Sequence, residues 1–96
     1  MSPLGRNEGR KTDDLDRGVF KGKSIRFVPG RISAAARSDV SEFFVRKLVE
    51  DVGGFVDSYS RGIAEIVVPS AQTIKIATAL SQHKEFRYVT PVLGDM

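Results

Sequence analysis

The sequence contains no cysteine and no tryptophan, and it has a single histidine, His83. Without cysteine, neither a disulfide framework nor a thiolate metal site can form, and this usage fits a reducing intracellular compartment. A lone histidine without cysteine also leaves too few ligands for a transition-metal site. We therefore expect no metal site and no disulfide.

Two glycine-rich motifs that hold the phosphates of nucleotides are also missing. The chain has neither Gly-x-Gly-x-x-Gly nor Gly-x-x-x-x-Gly-Lys-Ser/Thr, so neither a dinucleotide site nor a P-loop is supported. The first predicted strand ends at Pro29-Gly30, where a receiver-type phosphoacceptor would need acidic residues. His83 lies in a polar segment, where we expect a surface side chain. We expect no catalytic residue, no cofactor and no small-molecule substrate.

Long apolar runs are absent as well. No segment approaches the roughly 18 apolar residues that a membrane span requires. The N-terminus also has no apolar core of a signal peptide. We expect neither a membrane partner nor export by that route.

The residues that are present are typical of one small globular domain. Of the 96 residues, 41% are hydrophobic and 28% are charged. The segment 1–18 is rich in proline, glycine, polar and charged residues, with Leu4 and Leu15 as candidates for burial. We predict a flexible tail or linker over residues 1–18 and one domain over residues 19–96.

The domain is predicted to open with a strand and a helix. Residues 24–28 alternate polar and apolar side chains, which predicts a short strand that ends at Pro29-Gly30. Residues 31–37 are predicted as a loop. A helix is predicted from Ser38 or Asp39, where Asp39 and the acid three residues later form a capping-box pattern, to Gly53. Its apolar residues recur at spacings of three and four and are expected to form one buried stripe of Val40, Phe43, Phe44, Leu48, Val49 and Val52.

The second half of the chain continues the alternation of strands and helices. We predict strands over residues 55–59 and 63–68 with a turn between them, then a helix over 71–81 and a strand over 86–90. Both faces of the 63–68 strand are apolar, as in a parallel sheet covered by helices. The order β-α-β-β-α-β therefore predicts an α/β fold with a four-stranded, mainly parallel sheet.

Three short motifs resemble the BRCT domain of DNA-repair and checkpoint proteins. They are Phe20-Lys21-Gly22-Lys23 before the first strand, Gly53-Gly54 after the first helix, and Tyr88-Val89-Thr90-Pro91 near the end. The resemblance spans about residues 19 to 94 and implies the strand order 2-1-3-4, helices on both sheet faces and a nuclear location. Leu93 stands where these domains usually carry a tryptophan in a third helix, so this chain resembles a divergent or truncated member.

The resemblance implies a non-catalytic protein–protein interaction module of a nuclear DNA-repair, replication or checkpoint protein. With at most about a turn of third helix, the side chains of Phe43, Phe44 and Leu48 are expected to be partly uncovered. Exposed apolar surface of this kind usually marks a partner site. The expected partner is a protein, either another BRCT domain or a second copy of this chain.

The alternative implied by the resemblance is phosphate-dependent binding of 5′-phosphorylated DNA ends or of a phosphopeptide. The pocket would use the amide of Gly30, with Thr73 and Lys75 at the second helix. Arg31 or Ser33 would take the place of the hydroxyl lost at Pro29. A basic run would add further phosphate contacts. Its members are Lys21, Lys23, Arg26 and Arg37. The same cations fit a solvated surface equally well.

Overall fold

The computed structural model describes residues 15–94. This part of the chain forms β1 (Asp16–Phe20), β2 (Lys23–Ala36), α1 (Glu42–Asp51), β3 (Phe55–Ser60), β4 (Ile63–Val67), a short 3₁₀ turn (Ser70–Gln72), α2 (Thr73–Ser81) and β5 (Phe86–Leu93). Most of the tail predicted over residues 1–18 lies outside the described residues, and its last three residues belong to β1. Neither helix is long and apolar enough to cross a membrane.

The five strands form one sheet in which every paired strand is antiparallel to its neighbour. The main sheet has the order β5-β2-β4-β3, and β1 pairs with the beginning of β2. From β2 onward the order β-α-β-β-α-β is confirmed. Each βαβ unit is split by a strand inserted between its two strands, which is the ferredoxin-like arrangement.

The predicted mainly parallel sheet, with the order 2-1-3-4 and helices on both faces, is wrong. Two tight turns explain why. Lys21-Gly22 joins β1 to β2 with φ angles of 53° and 80°, and Arg61-Gly62 joins β3 to β4 with 53° and 81°. Positive φ at both central residues defines a type I′ hairpin turn, which joins adjacent antiparallel strands, whereas parallel strands need a long crossover. The first motif of the BRCT resemblance is therefore a hairpin turn.

Both helices lie on the same face of the sheet. The core contains Val45 and Val49 from α1 and Ile76, Ala77 and Leu80 from α2. The strand residues in this core alternate along each strand and so share one face. They are Ile32, Ala34 and Ala36 on β2, Val56 on β3, Ala64 and Ile66 on β4, and Phe86 and Val89 on β5. In residues 15–94, no helix lies against the opposite face.

Strand β2 continues through Pro29-Gly30, where the sequence predicts its end. The pairing with β5 is irregular between Phe27 and Ile32, and Gly30 has a φ of 85°, so the strand bends here without ending. After the bend, Ile32 pairs with Ile66 on one side and with Pro91 on the other. The predicted loop over residues 31–37 is therefore mostly the central strand of the main sheet, because two neighbouring strands hold its backbone.

Helix α1 begins later than predicted and ends where expected. Its N-cap is Ser41, whose hydroxyl oxygen accepts the N–H of Phe44 at 3.2 Å, so the predicted cap at Asp39 is wrong. The chain leaves the helix at Gly53, which has a φ of 97°. The predicted β3, β4 and α2 agree with the structure to within about two residues, whereas β5 runs on to Leu93, where a third helix was expected.

Candidate binding surfaces

The structure brings two residues of the predicted phosphate pocket together, but they bind each other. The N–H of Gly30 donates to the side-chain oxygen of Thr73 at 2.7 Å, and the Thr73 hydroxyl donates to the carbonyl oxygen of Ser70 at 2.9 Å. Thr73 is 1% exposed. Its hydroxyl proton and the Gly30 amide are both engaged, so phosphate binding here would require breaking two buried hydrogen bonds.

The two cations of the predicted pocket lie on opposite sides of the sheet. Arg31 lies in β2 with its side chain on the helix-free face, and its Nη2 atom lies 3.8 Å from Oδ2 of Asp57. Lys75 is exposed on α2, which covers the other face. One phosphate group could not contact both cations, so the four predicted phosphate ligands do not converge. Their role in phosphate binding stays a prediction.

The predicted basic run is divided between the two ends of the molecule. Lys21 is at the tip of the β1–β2 hairpin, with its Nζ atom 5.8 Å from the centre of the Phe20 ring. Lys23 and Arg26 lie on the same hairpin, whereas Arg37 follows the far end of β2. A strand of 14 residues spans 40 Å or more when straight, by roughly 3.3 Å per residue. Arg37 is therefore separate from the other three.

The first turn of α1 presents the apolar side chains that the sequence assigned to a partner surface. Phe43 is 77% exposed and Phe44 is also exposed, whereas Leu48 is half-buried against the core. The exposure has a different cause from the expected one. The residues where a third helix was expected belong to β5. The expected burial of the whole apolar stripe is wrong, because α1 buries Val45 and Val49. The role of these residues in binding stays a prediction.

The helix-free face of the main sheet, which we call the sheet face, carries a second group of apolar side chains among polar ones. The registers place its side chains in three rows across the strands. From β3 to β5, the first row is Ser60, Ile63, Ala35 and Tyr88, the second is Ser58, Glu65, Ser33 and Thr90, and the third is Phe55, Val67 and Arg31. Phe55 is 57% and Tyr88 48% exposed, and Ala35 is shielded between Ile63 and Tyr88.

The outward side chains of β4 depart from the pattern of an ordinary antiparallel sheet. When one face is covered and the other faces water, strands alternate apolar and polar residues. Strand β4 has Ala64 and Ile66 toward the helices, yet two of its three outward residues are Ile63 and Val67. The outward apolar side chains are only partly buried by their neighbours. This face therefore has the character of a surface that another molecule covers.

The sheet face does not provide a stacking platform for single-stranded nucleic acid. Such a platform needs aromatic side chains on neighbouring strands so that successive bases can stack. Phe55 and Tyr88 lie on the two outer strands and in different rows, about 14 Å apart across three strand spacings and about 13 Å apart along the strands, so they are roughly 20 Å from each other. The central strands carry no aromatic residue on this face. Glu65, on the central strand β4, lies in the row between those of Phe55 and Tyr88, and its carboxylate would repel phosphates.

The side chains of residues 15–94 do not form a metal-binding cluster. No group of three or more histidine, cysteine, aspartate or glutamate residues is close enough to hold an ion in this range. His83 lies before β5, with its Nδ1 atom 3.8 Å from Oε1 of Glu85, and its side chain is partly exposed as predicted.

Sequence reasoning missed the sheet face because it assigned helices to both faces of the sheet. The apolar run of 63–68 was correctly recognised, but its outward half was attributed to an internal helix. The Lys-Gly and Arg-Gly pairs, each between two strand-like segments, are the signal that could have corrected this. Two-residue hairpins would have predicted antiparallel pairing of the strands that they join. An antiparallel sheet can leave one face without helices.

Comparison of the chain with models of known protein families, with curated protein sequences and with solved structures finds no match. The class that the strand order defines is a small ferredoxin-like fold with a further strand, β1, paired with the start of β2. The function is therefore argued from the surfaces alone.

Proposed function

We propose that this protein is a non-catalytic protein-binding module whose partner covers the sheet face. The observation that carries the proposal is the pair of outward residues Ile63 and Val67 on β4, which give a central strand two apolar faces although helices cover only one. Phe55 and Tyr88 extend this apolar surface to both edges of the main sheet. Large apolar side chains grouped on one exposed face are typical of protein interaction sites.

The charges of the sheet face favour a different protein over a second copy. Glu65 lies near the middle of the sheet face, between the row that contains Ile63 and the row that contains Val67. A two-fold axis through the face would bring two Glu65 carboxylates toward each other, and like charges brought together in an interface cost affinity. The partner that fits has an apolar ridge with a lysine or arginine opposite Glu65.

Phosphate-dependent binding has less support than protein binding. The Gly30 amide and the Thr73 hydroxyl are engaged with each other, and Arg31 is next to Asp57. A nuclear location and a DNA-repair host stay predictions, because they depended on a resemblance whose sheet topology this chain does not have.

Site-specific photo-cross-linking would test the proposal. A benzophenone amino acid would replace Tyr88 or Phe55 on the sheet face, with Phe43 on α1 as a matched control that is at least as exposed. The full chain would be produced in its native cells, irradiated and examined by mass spectrometry. We expect the two sheet-face positions to cross-link to the same polypeptide and Phe43 to give little product.

Three results would count against the proposal. Cross-links from Phe43 alone would move the partner site to α1. Cross-links from Tyr88 and Phe55 to the chain itself would show homotypic pairing, which a mass that rises with concentration in solution would also reveal. Absence of products at all three positions would mean that the sheet face has no protein partner.

A further inference from the structure

Two arginines lie directly opposite each other on the β1–β2 hairpin. Arg17 is the register partner of Arg26. The two-residue turn makes Phe20 and Lys23 a hydrogen-bonded pair, and alternation along the hairpin makes Arg17 and Arg26 a non-hydrogen-bonded pair, in which side chains approach most closely. Like charges directly opposite each other destabilise a pair of strands. The ion pairs of residues 15–94 involve neither arginine.

These arginines line a shallow groove, which we call the hairpin groove. Its lining includes Arg17, Val19, Ser24, Arg26 and Leu93. The N–H of Gly94 donates to the carbonyl oxygen of Arg26 at 2.8 Å, so β2 here is the middle strand between β1 and the end of β5. The apolar side chain beside the arginines is that of Val19, which is 60% exposed. Leu93 is the register partner of Phe27, so its side chain lies on the opposite side of the sheet from the arginines. The groove thus combines two cations with one exposed apolar side chain, and no acidic side chain of residues 15–94 lines it.

We infer that the hairpin groove binds an acidic, extended segment of the protein that covers the sheet face. Carboxylates of this segment would neutralise Arg17 and Arg26, and an apolar side chain on it would contact Val19. The inference rests on the proposed function and adds the chemistry of the partner. Within residues 15–94 no ion pair offsets the repulsion between the two arginines, and a local cost of this kind is expected where a function requires it.

The surroundings of the groove favour a peptide over a nucleic acid. A phosphate backbone needs cations along its length, whereas Lys23, the register partner of Phe20, lies on the opposite face of the hairpin from the two arginines. Lys21 lies over the Phe20 ring and does not extend the pair either. Val19 offers a contact that an acidic peptide with apolar side chains would use and a phosphate backbone would not. Glu65 on the adjoining sheet face also disfavours a polyanion that extends beyond the hairpin.

A nuclear magnetic resonance titration of the full chain would test the inference. The probes are a capped peptide of alternating glutamate and valine, a matched peptide of alternating lysine and valine, and a 5′-phosphorylated DNA duplex. We expect the glutamate peptide to shift the amide signals of Val19, Ser24 and Leu93, with binding that weakens as salt is added. Each arginine-to-glutamine substitution should weaken binding about two- to fivefold, the range of exposed ion pairs.

The variant Arg17→Gln/Arg26→Gln has a matched control in Lys47→Gln/Lys84→Gln, which removes the same charge from exposed positions elsewhere. The arginine variant should lose the peptide shifts and melt no lower than the wild type, because it relieves a repulsion. The lysine variant should keep the shifts. A lower melting temperature of the arginine variant would instead show that the pair has a structural role.

The inference would be overturned by stronger binding of the duplex or the lysine peptide, or by no shift with the glutamate peptide at millimolar concentration. Equal losses in both double variants would overturn it as well. In each of these cases, cross-linking from Tyr88 would still show whether a protein covers the sheet face. A cross-link that persists in the arginine variant would leave the proposed function intact while removing the role of the hairpin groove.

Discussion

At the residue scale, Thr73 shows how one side chain can satisfy a structural need in a place where a ligand was expected. It is the one buried polar residue among those that the structure describes. Its hydroxyl connects the bend of β2 at Gly30 to the start of α2 through Ser70. A buried amide without a partner costs more than a typical hydrogen bond contributes. The threonine therefore explains how the strand can bend in the interior.

Replacing Thr73 by valine should destabilise the protein with almost no change in side-chain shape. The Gly30 N–H would lose its acceptor, and we expect the free energy of unfolding to fall by about 1–3 kcal/mol. Urea denaturation would measure this change. Thr78→Val, at an exposed position of the same helix, is the control and should change stability by less than about 0.5 kcal/mol. Equal effects of the two substitutions would contradict the role assigned to Thr73.

At the scale of the element, local signals placed most helices and strands but misplaced the start of α1. Asp39 and Glu42 match a capping box, yet the helix starts after Ser41. The carbonyl oxygen of Arg37 accepts the N–H of Val40 at 3.0 Å, so a turn occupies the segment before the helix. Several polar residues in a row can each cap a helix, and the approach of the preceding strand selects one of them.

Alanine substitutions at the two candidate caps separate these alternatives. Ser41→Ala should lower the free energy of unfolding by about 1 kcal/mol, because the Phe44 amide loses its acceptor. Asp39→Ala should change it by less than about 0.5 kcal/mol. Thermal unfolding followed by circular dichroism would compare the two variants. The reverse order of effects would mean that α1 begins at Asp39 in solution.

At the scale of the whole molecule, the two faces of the sheet have different tasks. One face packs against both helices and holds the core, while the other is covered by no helix in residues 15–94 and carries apolar side chains in rows. The apolar residues of β4 contribute to both faces. Ala64 and Ile66 face the helices and stabilise the fold by burial, whereas Ile63 and Val67 lie on the face that we propose a partner covers.

Substitution of two isoleucines on β4 would show how much each face of the sheet contributes to the free energy of unfolding. Ile66 faces the helices and is fully buried, whereas Ile63 is half-buried on the sheet face. We expect Ile66→Ala to lower the free energy of unfolding by about 2–5 kcal/mol, and Ile63→Ala by about 1 kcal/mol. Chemical denaturation of the isolated protein would give both values. Similar losses at the two positions would indicate that the sheet face is part of the core.

The sequence by itself determined the kinds and the order of the elements from β2 to β5. The predicted strands over 55–59 and 63–68, the helix over 71–81 and the glycine after α1 depend on residues close together in the chain, and they agree with the structure to within about two residues. The exposure of Phe43 was also foreseen, although for another reason. Among the site residues, Gly30 and Thr73, which the resemblance assigned to one pocket, lie in contact, and their role in phosphate binding stays a prediction.

Only the tertiary structure decided the sheet topology, the path of β2 through Pro29-Gly30 and the open face. Each of these depends on backbone pairing between segments far apart in the chain, such as Ile32 with Ile66 and with Pro91. The β-α-β-β-α-β order fits both a parallel and an antiparallel sheet. The sequence of a strand with an apolar outward face also does not distinguish a face covered by a helix from a face covered by a partner. Pairing partners and coverage are properties of the folded chain, because non-local hydrogen bonds and burial select them.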